Sequence, residues 1–111
     1  MRTLAVIRWI KTKHFTVRVH AVEDYDLDVG WDEDGSVQKG LRDGSLVHFG
    51  VIAEVRHRKT GAVLGEDSLW GCIEKTYKDF RTSMYLRDLV SNACRDARNA
   101  LSDLQALKLK V

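Results

Sequence analysis

The residues best able to do chemistry lie between Glu23 and Asp34, where Glu23, Asp24, Asp26, Asp28, Asp32, Glu33 and Asp34 place seven carboxylates in twelve residues. Carboxylates at alternate positions are the ligand set of a hard cation, and Asp24, Asp26 and Asp28 match the first three liganding positions of an EF-hand loop. The match then fails. Val29 stands where that loop needs its turn glycine, Gly35 where it needs a bidentate glutamate, and no helix pattern flanks it. No metal or other cofactor is therefore expected. With Tyr25, Leu27, Val29 and Trp31 set between the acids, the stretch reads as an extended edge segment that anchors Leu27, Val29 and Trp31 and keeps its carboxylates in water. A row of carboxylates can also imitate phosphates and occupy a basic groove. Asp24, Tyr25, Asp26, Asp28, Trp31, Asp32, Glu33 and Asp34 are accordingly the candidate protein-binding residues, against the plainer alternative of a solvated acidic loop.

A second, opposite cluster is Arg56, His57, Arg58 and Lys59, four consecutive residues at a hairpin tip, joined as candidates by Lys11 and Lys13 at another tip. Basic tips can enter a nucleic-acid groove or meet an acidic protein surface, but no aromatic is interleaved in the tip to stack on bases. Catalytic patterns are scarce. His14, His20 and His48 fall on outward strand positions, His57 falls near a tip, and no serine or cysteine sits in a nucleophile elbow. Cys72 and Cys94 lack metal-ligand spacing and read as reduced core thiols. Neither a dinucleotide glycine motif nor a Walker loop occurs, so a non-enzyme is expected.

The elements that must hold these clusters follow from periodicity. Val47, Phe49, Val51, Ala53 and Val55 alternate with polar residues, the period of a half-buried strand. Lys59-Thr60-Gly61 then gives a turn, and the apolar character resumes at Ala62. The run Asp67 to Glu74 reads as a strand end turning under a helix. Upstream, Thr3 to Ile10 is apolar on both faces apart from Arg8, as for a strand covered on two sides, and Phe15, Val17, Val19 and Ala21 alternate toward a core. Ser36 is the expected N-cap of a short crossover helix ended by Gly44. From Leu86 the positions Val90, Ala93, Ala97, Ala100, Leu104 and Leu107, widened by Leu89 and Leu101, form the apolar stripe of a long helix. The same stripe could serve a dimeric coiled coil, but its alanines are weak knobs and the sheet needs a cover. The expected fold is α+β. It is one domain over 1–111, with antiparallel strands at roughly 3–10, 14–22, 46–58 and 62–70 and a helix at about 84–108 packed on one face.

The chain has 111 residues, 44% apolar, which suffices for one core. Its net charge of +2 conceals three blocks: five bases and no acid in residues 1–22, seven acids and no base in 23–34, and thirteen bases against nine acids in 35–111. Neither sign dominates enough to name nucleic acid, though an electrostatic partner is plausible. No apolar run approaches a membrane span and no signal-peptide pattern opens the chain, so a cytoplasmic protein is expected, monomeric or weakly homodimeric.

Trp31-Asp32-Glu33-Asp34-Gly35-Ser36, Leu41 to Gly44, Val47-His48-Phe49-Gly50-Val51, Leu64 to Cys72 and Asp79-Phe80 before a terminal helix form an arrangement that resembles small proteins of bacteriophages, prophages and mobile elements. The resemblance covers about two thirds of the chain and includes proteins of the host-defence-inhibitor, anti-CRISPR-like kind. It implies a bacterial host cell and a non-catalytic protein that occupies a surface of a host complex. Nucleic-acid binding through the basic tips is the competing class.

Overall fold

The computed structural model describes residues 2–26 and 28–109, with the side chains of 107–109 outside the description. The anchoring expected of Leu27 and the place of Leu107 in the helix stripe therefore lie outside the described residues. The elements are β1 (Thr3–Lys11), β2 (Phe15–Val22), α1 (Ser36–Asp43), β3 (Val47–His57), β4 (Val63–Glu74), a 3-10 helix (Tyr77–Thr82) and α2 (Tyr85–Leu109). The strands form one antiparallel sheet in the order β1-β2-β3-β4, two hairpins side by side, and α2 packs on one face. This is the α+β arrangement expected.

Register follows from alternation. Val17, Val19 and Ala21 of β2 stand opposite Val55, Ala53 and Val51 of β3, so all six face the helix and all six are buried. Phe49 extends that row and meets Tyr77 and Phe80 edge-on, at centroid separations of 5.2 and 6.5 Å. The 3-10 helix closes this corner of the core, held by a capping box between Thr76 and Asp79. Ser83 accepts the Tyr85 backbone N–H at 3.2 Å and so opens α2.

Three expectations are corrected. β1 is an edge strand, not one covered on two sides: Ile7 is its only fully buried residue, while Val6 and Trp9 are 39% and 59% exposed. Register shifts between Thr3 and Ala5 and between Val6 and Arg8 break the alternation on which that expectation rested. β4 does not end near residue 70 but runs on to Glu74. Trp70 and Gly71 together oppose Gly50, and Gly71 takes φ 73, so the strand absorbs an extra residue as a bulge and resumes with Cys72 inward. Finally, α1 is not capped by Ser36, which is already its first helical residue; the carboxylates of Asp34 and Asp32 accept the N–H groups of Ser36 and Gln38 at 2.9 and 3.0 Å.

Candidate functional site

The charge blocks of the sequence become two poles. β2 carries the chain from the hairpin tips at Lys11–Phe15 to Val22, where the acidic segment begins, and its eight residues at about 3.3 Å each separate the two by about 26 Å.

At the acidic pole the carboxylates are not equivalent. Asp24 turns inward: its Oδ2 lies 3.2 Å from His48 Nε2 and accepts the Gly71 backbone N–H at 2.7 Å, with only 5% of the side chain exposed. Asp24 is thus a clamp that fastens the segment across β3 and β4, and His48, expected to point into solvent, is the buried partner of that clamp. Asp28 accepts the Gly30 N–H at 3.0 Å, and Asp34, whose carboxyl is held below the usual range by the Ser36 N–H, closes the next turn. The Trp31 indole donates to the Asp28 carbonyl at 2.9 Å, and the Tyr25 hydroxyl donates to Glu23. These bonds tie down residues 23–26 and 28–34 yet leave their outer side bare, with Tyr25 81% exposed, Asp26 and Glu33 in water, and Trp31, expected as an anchor, 61% exposed. An open cleft of about 520 Å³ runs between Glu23–Asp26 and Trp70–Gly71.

The basic pole joins two hairpin tips that are 45 residues apart in sequence. Arg58 donates from its backbone to His14 O at 2.9 Å and from Nη1 to the carbonyls of Thr12 and Lys13 at 2.8 and 3.2 Å. Lys11, Lys13, Arg56, Arg58 and Lys59 therefore converge on one end of the sheet. Arg56 is partly committed, to Glu54 at 3.2 Å and to Gly61 O at 3.3 Å, and His57 is turned to the Thr60 N–H and against Phe15. The aromatic that the tip lacks comes from β1. Trp9 stands opposite Arg18 and two residues from Lys11, and Arg56 lies across from Thr16, which places Trp9, Lys11, Arg18 and Arg56 on the same face, away from α2. Trp9, Lys11 and Arg18 belong to one hairpin, where the expectation of a doubly covered β1 hid them, and Arg56 joins them through the register of the second hairpin.

Cys72 and His20 show no nucleophile arrangement. Burial, then Glu74 and Asp24, pushes the Cys72 thiol up to about 11, which keeps it protonated. His20, expected outward, is 6% exposed, and burial followed by the nearby Arg18 lowers its pKa, opposed by Glu54 and reinforced by Arg56. Among the described residues no three His, Cys, Asp or Glu side chains gather as a metal-binding group, and no helix is long and apolar enough to cross a membrane.

No family model, curated protein or solved structure matches this chain.

Proposed function

We propose that the chain is a non-catalytic binding protein that docks its acidic pole on a basic surface of a protein complex in a bacterial host cell, in the manner of the phage-type, anti-CRISPR-like inhibitors it resembles. The observation that carries this reading is the Asp24 clamp. By tying the start of the segment to His48 and Gly71 it pre-orders the adjoining Tyr25 and Asp26, while the Asp28 carbonyl separately holds the Trp31 indole, so less ordering entropy is lost on docking. The exposed aromatics would supply affinity and the carboxylates steering. Pull-down from a nuclease-treated bacterial lysate tests it. A protein retained by the wild-type chain should be lost with a Tyr25→Ala/Trp31→Ala variant of unchanged melting temperature, and equal retention would refute the docking surface.

A second reading, single-stranded nucleic acid at the basic pole, is favoured by the placement of Trp9 among Lys11, Arg18 and Arg56. Base stacking on an exposed tryptophan contributes about 1–3 kcal/mol. Trp9→Ala should then weaken oligonucleotide binding by about 5- to 150-fold in an anisotropy titration, with a salt slope retained from the lysines. An unchanged affinity would remove this reading.

A further inference from the structure

A third cationic feature belongs to neither pole. Arg8 of β1, Arg81 at the end of the 3-10 helix and Arg87 of α2 line one open cleft of about 430 Å³, together with Ile10, Leu86 and Val90 and the hydroxyl residues Thr82, Ser83 and Ser91. The three arginines come from separate elements, and the fold brings them together. Arg8 stands opposite Val19, on the helix-covered side of the sheet, where β1 as the edge strand leaves it open toward α2. Arg87 and Ser91 are four residues apart and so share one side of α2, with Leu86 and Val90 beside them, while Ser83 lines the cleft from the turn just before the helix.

Its charge balance is unusual. No carboxylate lines the cleft, and among the described residues none of the three guanidinium groups forms an ion pair. Asp79, the nearest acid to Arg81 in sequence, is turned away to accept the Thr76 N–H at 3.1 Å. Three like charges around one concavity repel each other, and an anion held between them reverses the sign of that interaction. Guanidinium forks match phosphate oxygens in pairs, hydroxyls add donors, and an apolar floor suits an organic group attached to the phosphate. The volume falls within the range of small-ligand sites, about 300–1,000 Å³.

We infer that this cleft binds a small organic phosphate of nucleotide size, held by Arg8, Arg81 and Arg87. Isothermal titration of the whole chain with pyrophosphate, ADP and a short single-stranded oligonucleotide tests the assignment. Pyrophosphate and ADP should each bind once per chain. Arg81→Ala and Arg87→Ala, both on exposed positions, should each raise Kd at least about tenfold while circular dichroism and melting temperature stay unchanged. Arg58→Ala, at the basic pole, should leave Kd as it is. Absence of binding by pyrophosphate and ADP at millimolar concentration, an unchanged Kd in both cleft variants, or binding of the oligonucleotide alone would each overturn the inference, the last by making the cleft a polymer contact.

Discussion

Asp24 shows how one residue in a run of similar residues acquires a separate task. Replacing it by Ala leaves the Gly71 N–H and the His48 ring without their shared acceptor in a nearly closed site, a loss of about 1–3 kcal/mol. For a domain of this size that lowers the melting temperature by roughly 4–20 °C, whereas Asp26→Ala, in water, should change stability by less than about 0.5 kcal/mol. Equal melting temperatures for the two variants would contradict the clamp. The sequence could not single out Asp24, because its partners lie at positions 48 and 71 and nothing local distinguishes it from Asp26 or Asp28. His20 makes the second residue-scale prediction. Its pKa is lower in the folded chain than the ordinary 6.5, so the unfolded state takes up the proton first; its contribution to stability is complete above pH 6.5 and falls away as pH drops through the folded value. Melting temperatures recorded from pH 8 down to pH 5 should decline less for His20→Gln than for the wild type. Parallel curves would show that His20 is not the group responsible.

At the scale of elements, α2 lies close enough to the sheet that Gly65 has no room for a side chain: a Cβ there would collide with the Ala93 carbonyl and the Ala97 backbone nitrogen. This explains the small residues in the apolar stripe, since Ala93 and Ala97 are buried against a glycine while Leu86 and Leu89 fill the wider end. Ala97→Glu should cost several kcal/mol, because Ala97 is 4% exposed and packed against Gly65, so the longer charged side chain would be forced into the closed contact between helix and sheet. A chemical denaturation midpoint equal to wild type would mean that the helix does not seat here. The strands and α2 were legible because periods of two and of three to four residues report burial directly. The two-sided cover expected for β1, the end expected for β4 and the cap expected for α1 went astray where bulges and carboxylate turns intervene, features that depend on paired strands or on side chains bonding to distant backbone.

Over the whole molecule, the sheet ends before the helix does. Leu101 is half-buried, Leu104 is 56% exposed, and the radius of gyration is 17.0 Å against about 13 Å for a compact chain of this length. The two charge blocks sit at opposite ends of β2, and so the blocks seen in the sequence survive as poles. Their existence was readable from composition along the chain, but the joining of two basic tips by Arg58 and the placing of Arg56 on the face of Trp9, Lys11 and Arg18 required the register. The proposal that the acidic pole meets a basic protein surface is tested most directly by its association rate. Asp26→Asn, Asp28→Asn and Asp32→Asn together remove three charges, yet asparagine keeps the acceptor oxygen that Asp28 and Asp32 offer to backbone N–H groups, so the fold should be retained. The rate constant should be measured by biolayer interferometry against the protein retained from lysate, across a series of salt concentrations. The wild type should associate more slowly as salt rises, and the triple variant should start slower and respond less steeply. Identical rates and identical salt dependence for the two chains would contradict the account.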